Sequence, residues 1–404
     1  MEASRQAALD RLSDFLPRAG RAYARERNHD PGPDERDNVS VLSPWVRHRL
    51  ITEQEIVAAV LEQHSASAAE KFIQEVCWRT YWKGWLEMRP GVWQSFLEQR
   101  ESEQGQVAAN AGLQVAIDEA ESGRTGIDAF DHWVQELVDT GYLHNHARMW
   151  FASIWIFTLK LPWSLGADFF LRHLLDADPA SNTLSWRWIA GLQTRGKTYL
   201  ARPSNIEKYT GGRFRPTNLA AEAPALEWTE PPRPGSLPTV SPVSSLTETP
   251  ALLLIHPEDL NPESLIPDSL PIKAIVAVSA VGGRVDWPFG DKARAFVTAG
   301  VSDAVGRATE FYGLDPEAAE ALNASKLIGA CRQAGVEAVV TPYAPVGPVA
   351  DALSDLDKAL RDEGIALHRV RRDWDGEAWP HATKGFFPFK KKIPALLEAV
   401  GIGS

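Results

Sequence analysis

Eleven of the fifteen tryptophans in this 404-residue chain lie between Trp45 and Trp188. Side chains this large are seldom left in water, so that stretch has to enclose a thick aromatic core. The patterns around the indoles are helical. Thr52–Gln63 (TEQEIVAAVLEQ) opens with Thr52 three residues before Glu55, the spacing of a capping box. Ala68–Met88 is a long helical pattern stopped by Pro90 and Gly91, and Ile127–Thr140 is amphipathic and ends at Gly141, a C-cap residue. Met149–Leu161 and Ala167–Leu175 continue in the same style. With no period-2 alternation, residues 1–216 are predicted to form an all-helical domain.

The grammar then changes. Seven prolines between Ala220 and Pro250, mixed with Ser, Thr and Glu, predict an extended linker over 217–250. Beyond it, Leu252–His256, Ile272–Ala280, Ala338–Tyr343 and Ala366–Val370 read as short apolar strands. Helical patterns at Asp291–Ala299, Ser325–Ala334 and Val349–Glu363 separate them. Such alternation predicts a smaller α/β domain with a parallel sheet over 251–404. No GxGxxG or phosphate-loop motif occurs. Two distant cysteines, Cys77 and Cys331, are too few for a thiolate metal site or a disulfide framework, and the expectation is a cytoplasmic, reduced protein. No apolar run is long enough to span a membrane. The net charge of −11 means that any contact with nucleic acid needs a local basic patch.

Four segments carry candidate chemistry. In Phe72–Trp82, the residues Glu75, Trp78, Arg79 and Trp82 share a helix face. From spacing alone that face reads first as a core stripe with a Glu75–Arg79 surface ion pair, and otherwise as a pocket for a flat polar ligand. In Leu143–Met149, Asn145 and Arg148 lie one turn apart, and Arg148 suits an anionic partner, or the segment is a polar helix start. Asp176–Trp188 holds two acids before Pro179 and Asn182, which mark a helix exit into a structured loop or simple turn chemistry, with the aromatic pair Trp186 and Trp188 just downstream. From Arg187 to Arg215 there are seven basic residues, among them Arg195 and Lys197, against one acid, with Tyr199, Tyr209 and Phe214 interleaved. That run suits phosphate binding with base stacking, or a rim that docks the second domain.

Taken together and in this order, Phe72–Trp82, Leu143–Met149 and Asp176–Trp188 resemble the FAD-binding domain of the DNA photolyase/cryptochrome family. Ser40–Trp45 (SVLSPW) resembles that family's flavin-phosphate loop, with Val39 where the family has Thr. The resemblance implies FAD as cofactor. It places Ser40, Leu42 and Ser43 at the phosphate and ribityl groups, and Tyr23 at a phosphate. It places Arg79 near the cofactor, Arg148 and Asp176 as the ion pair beside the isoalloxazine, Asp178 at the ribityl or ring edge, and Asn182 facing flavin N5. Asn145 counts both among these contacts and, with Met149, among residues lining a lesion pocket. Glu75 then hydrogen-bonds a damaged base, while Trp78 and Trp188 cradle a flipped pyrimidine dimer. Histidines stand at positions 145 and 149 in the (6-4) members, so this chain is expected to act on cyclobutane dimers. Arg187, Arg195 and Lys197 would grip flanking phosphates.

Trp186 and Trp163 match the first two members of a photoreduction chain, and the third aligns near Ala120, where no indole stands. The order of domains departs from the family, which carries its α/β antenna domain first. Here Leu367–Asp373 (LHRVRRD) and Gly385–Lys390 (GFFPFK) resemble the end of that domain, so the expected architecture is permuted, with the antenna-like domain at the C-terminus. An antenna chromophore cannot be assigned from these residues. The resemblance implies a light-driven lyase that repairs UV-damaged DNA containing pyrimidine dimers as a monomer. The alternative is a cryptochrome-like blue-light photoreceptor that binds FAD without repair.

Overall fold

The computed structural model describes residues 1–227, 229–280 and 289–403, and from Arg5 to Tyr209 its regular structure is helical. Local chemistry sets the helix ends. Thr52 and Glu55 form the reciprocal capping box of the Glu53–Gln63 helix. Ser65 caps the next helix, Ala66–Glu87, whose 22 residues make it a central rod. The Asp128–Thr140 helix stops where Gly141 takes up φ 69°, a conformation that glycine reaches without strain. The Asn145–Ser153 helix runs directly into a π-turn over Ile154–Thr158, and Trp163–His173 and Pro179–Ile189 follow. Trp93, Trp133, Trp150, Trp155, Trp163 and Trp186 are all buried, as the clustering of indoles requires.

The C-terminal half holds, among the described residues, a five-stranded parallel sheet in the order β3-β2-β1-β4-β5. The strands are β1 (Ala251–Ile255), β2 (Ile272–Ala280), β3 (Glu317–Ala321), β4 (Ala338–Pro342) and β5 (Ala366–Val370). β3 has the sequence EAAEA, which favours helix on propensity. It is extended because it pairs with β2, so tertiary context overrides local preference. The centre of the sheet is buried on both faces. Leu253 and Ile255 join a core continuous with the helical half, while Leu252 and Leu254 pack in a second cluster with Leu327, Cys331 and Leu353. The helical half therefore serves as one of the layers covering the sheet. The proline-rich stretch lies on the surface, stitched down by the Gly235 amide on the Met88 carbonyl (2.9 Å) and by Arg89 Nε on the Pro232 carbonyl (3.0 Å).

In a doubly wound sheet, ligands enter the crevice at the carboxyl ends of the strands where the order reverses, here between β1 and β4. Helical-half side chains fill that place. Arg47 makes two 2.6 Å bonds to Glu258, His48 Nδ1 donates to the Pro257 carbonyl at 2.7 Å, and Arg49 pairs with Asp375 at 2.5 Å. Across the crevice, Tyr343 Oη donates to Glu87 at 2.6 Å and the Val346 amide to the same carboxylate at 2.5 Å. Burial drives the His48 imidazole down to about 3, so it sits there neutral.

Candidate functional site: a three-residue acidic turn held by arginines

A dense polar cluster is built on Asp176, Ala177 and Asp178, between the Trp163–His173 and Pro179–Ile189 helices. Asp178 is the N-cap of the second helix, accepting from the Ser181 amide at 2.7 Å, with Pro179 preset at the first turn. Arg148 reaches Asp176 with both guanidinium nitrogens, at 3.0 and 2.9 Å. Arg79 forms an ion pair with Asp178 and also donates to the Asp176 carbonyl at 3.4 Å. Arg47 Nε donates to the Ala177 carbonyl at 2.7 Å. Arginines from three separate helices thus converge on one turn. Burial alone would raise both carboxyls. Arg148 and Arg79 beside Asp176, and Arg79 with Lys83 beside Asp178, hold both below the usual carboxylate range. One turn into the helix, Asn182 is buried and donates through Nδ2 to the Ala167 carbonyl at 2.8 Å.

Next to this turn lies the Ser40–Ser43 loop. Val41 has φ 56°, a left-handed conformation that is a true outlier for a β-branched residue. Such strain persists only where its surroundings impose it, and it concentrates at ligand clamps. Arg11 imposes it here, with Nε on the Ser40 carbonyl (2.7 Å) and Nη2 on the Val39 carbonyl (3.1 Å). The Ser43 hydroxyl lies close to Asp176 and helps hold its carboxyl low. Val41, Tyr142, Leu175, Arg36 and Phe296 line a cleft of about 910 Å³, within the size range of small-molecule sites. The Tyr142 ring lies beneath the guanidinium groups of both Arg36 (4.9 Å) and Arg148 (5.3 Å). Arg11, Arg36 and Lys292 line the cleft together with Asp34, Asp37 and Asp139, so its wall carries both signs of charge. A strained loop and a cleft of this size fit a flavin dinucleotide, with Arg11, Arg36 and Lys292 the groups that would meet its diphosphate.

The other candidate residues fall around this centre. Glu75 does not pair with Arg79. Its partner is Arg27, at 2.5 Å and 48 residues away in sequence, while Arg79 is taken by Asp178. Burial pushes the Glu75 carboxyl up, against the pull of Arg27. Tyr23 is buried edge-on against Phe15 and Phe72, close to Arg27 and Glu75. Asn145 is exposed and opens its helix, with Met149 half-buried one turn further along. Trp78 is stacked flat on Phe386, with ring centroids 3.6 Å apart and planes 12° from parallel. Trp188 lies against Tyr199 at 5.9 Å.

Trp186 is edge-on to Trp155 (6.4 Å) and Phe170 (5.1 Å), and Trp163 packs on Phe96 at 5.7 Å. Ala120, where the third indole would stand, is fully buried. In the basic run, Arg195 and Lys197 are exposed, whereas Arg187 is half-buried and donates to the Leu192 carbonyl, and Arg213 pairs with Asp30 at 3.2 Å. Reasoning from spacing missed Arg27, Arg36, Arg47 and Tyr142. Each gains its partner only through tertiary folding, and nothing local marks it.

Residues 72–211 match the family model described as the FAD binding domain of DNA photolyase. A protein named deoxyribodipyrimidine photo-lyase from Alkalihalophilus pseudofirmus is 28% identical over 194 residues, 48% of this chain and 39% of that protein. One of the same name from Agrobacterium fabrum is 30% identical over 194 residues, 46% of this chain and 37% of that protein. Among solved structures, a bacterial class III photolyase from Agrobacterium tumefaciens is 26% identical, with a TM-score of 0.42, covering 52% of this chain and 43% of that one. The alignments span about two fifths of the length of these curated relatives. The similarity to the photolyase/cryptochrome family lies in the helical half, where residues 72–211 match its FAD-binding-domain model and the curated relatives align over less than half of this chain.

Proposed function

We propose that this protein is a light-driven DNA repair enzyme that splits cyclobutane pyrimidine dimers, with FAD held between the Ser40–Ser43 loop and the Asp176–Asp178 turn. The observation that carries the reading is the bidentate pair of half-buried Arg148 with buried Asp176, beside a strained loop and a cleft of fitting size. Reduced FAD, when bound and excited by blue light, supplies the electron that breaks the dimer.

The chain's own residues have the remaining tasks. Arg148, oriented by Asp176, places fixed positive charge where negative charge must be held, and preorganised charge of this kind costs no rearrangement during the reaction. Asp178 locks Arg79 on the same side, and Asn182, held by the Ala167 carbonyl, would face the flavin ring. A flipped lesion would meet Glu75, Asn145, Met149 and the indoles of Trp78 and Trp188. Flipping costs a few kcal/mol, less for a distorted lesion, and stacking at ~1–3 kcal/mol per base offsets it. Burial pushes the Glu75 carboxyl up against the pull of Arg27, the direction that would favour a hydrogen bond from it to the lesion. Trp186 and Trp163 are assigned to photoreduction of the cofactor, and Arg187, Arg195 and Lys197 to flanking phosphates. The α/β half reads as a brace for the flavin loop, since its switch-point crevice, the place for an antenna chromophore, is filled by Arg47 and His48. Among the described residues, no helix is long and apolar enough to cross a membrane.

One observation favours the photoreceptor alternative: Phe386 already covers a face of Trp78. Blue-light illumination of the reduced holoprotein with a dimer-containing oligonucleotide separates the two. Light-dependent recovery of intact pyrimidines supports repair, and tight FAD binding with no recovery supports the photoreceptor.

A further inference from the structure

Near the C-terminus, the stretch from Lys384 to Lys392 reads KGFFPFKKK, with four lysines and no acid between Glu377 and Glu398, in a chain whose net charge is −11. Its three phenylalanines have different fates. Phe386 and Phe389 are buried, at 5% and 1% exposure, while Phe387 is 77% exposed, the most exposed large apolar side chain among the described residues. The exposure does not come from a loose end. Phe386 is stacked on Trp78 at 3.6 Å and meets Tyr81 edge-on at 5.5 Å. Phe389 packs on Tyr81 at 5.5 Å, Tyr81 Oη donates to the Lys384 carbonyl at 2.8 Å, and Lys390 pairs with Glu70 at 2.8 Å. A firmly anchored turn therefore holds one bare aromatic ring out into solvent. Lys384, Lys391 and Lys392 are exposed around it.

We propose that Lys384–Lys392 is a second DNA-contact element, in which Phe387 acts as an apolar wedge at the duplex beside the lesion and Lys391 and Lys392 hold phosphates. The inference rests on the repair reading above and adds a surface from the opposite half of the chain to it. Proteins that distort DNA insert rings of this type between base steps and secure the backbone with neighbouring cations. Position selects DNA as the occupant. Phe386 links the element directly to Trp78, the residue assigned to the flipped dimer, so the wedge sits at the edge of the duplex opened by flipping. The basic charge of the element complements a polyanion that the acidic bulk of the protein would repel.

The test is a titration of the FAD-loaded protein with a dimer-containing duplex and with an undamaged duplex at several salt concentrations, read by fluorescence anisotropy. Phe387→Ala is expected to weaken binding to the dimer-containing duplex by about tenfold, the scale of one lost stacking contact, and to leave the undamaged duplex nearly unchanged. Lys391→Gln with Lys392→Gln is expected to lower the slope of log affinity against log salt by about 2 on both duplexes, roughly one per phosphate contact. Because these side chains are exposed, thermal midpoints should match the parent protein. Arg195→Gln with Lys197→Gln serves as the reference variant. If it lowers the slope while both C-terminal variants bind like the parent, the element is not a DNA contact and the repair reading stands. If the parent protein does not bind the damaged duplex, both readings fall together. Loss of binding to anionic vesicles in the lysine variant, with DNA binding unchanged, would overturn the proposal in favour of a membrane.

Discussion

At the residue scale, the carboxylates of this chain divide by the company they keep. Asp176 and Asp178 are buried among arginines that hold their carboxyls low, whereas burial of Glu75 pushes its carboxyl up against the pull of Arg27 and Lys71. Glu75→Ala should therefore leave FAD binding intact and lower the repair yield per absorbed photon by roughly tenfold, the worth of one hydrogen bond to a charged group. An unchanged yield would remove Glu75 from the mechanism. Glu87 makes a different prediction. Burial drives its carboxyl from the ordinary 4.5 up to about 7, against the hydrogen bonds from Tyr343 and the Val346 amide. The folded chain thus binds this proton more tightly than the unfolded chain. The resulting stability is complete below about pH 4.5 and is lost as pH rises through 7, a swing of roughly 3 kcal/mol. Glu87→Gln keeps the shape and removes the titration. Denaturant midpoints measured from pH 5 to pH 8 should fall less steeply in the variant than in the parent protein, and parallel curves would contradict the assignment.

At the element scale, what could be read from sequence was what local chemistry decides. Thr52 with Glu55 announced a helix start and Gly141 a helix end, and both stand as expected. The aromatic face of Phe72–Trp82 and the acidic turn were visible as patterns, and the resemblance gave the Arg148–Asp176 pair, but the partners of Glu75 and Arg47 were not legible. Glu75–Arg27 and Arg47–Glu258 join residues 48 and 211 positions apart, and no periodicity encodes such a pairing. Strand β3 was hidden because alanine and glutamate favour helix and only the β2 edge makes them extended. The contact between the Trp163–His173 and Pro179–Ile189 helices depends on a residue with no side chain. A Cβ on Gly166 would lie 2.5 Å from Trp186 and 2.9 Å from Trp155. Gly166→Ala should force the two helices apart at a cost of ~1–3 kcal/mol, seen as a lowered thermal midpoint together with slower photoreduction of bound FAD. A variant matching the parent in both would show that this packing does not support the path through Trp186.

At the scale of the whole molecule, the two halves share one apolar core and a buried set of ion pairs. Arg47 connects them, with Glu258 on one side and the carbonyl of Ala177 on the other. Both charged groups of that pair are almost fully buried. Glu258→Ala would leave a guanidinium without its counter-ion in the interior, and a loss of ~3–5 kcal/mol is expected, measured by denaturant unfolding. Because Arg47 also holds the acidic turn, the same variant should release FAD more readily, while a stable variant with parental flavin affinity would separate the brace from the site. The most direct measurement is an equilibrium titration of the flavin-free chain with FAD, followed by flavin absorption. A single saturable site per chain, weakened by Asp176→Asn, is the expected result. A folded chain that takes up no flavin, or one whose uptake ignores Asp176, would contradict it.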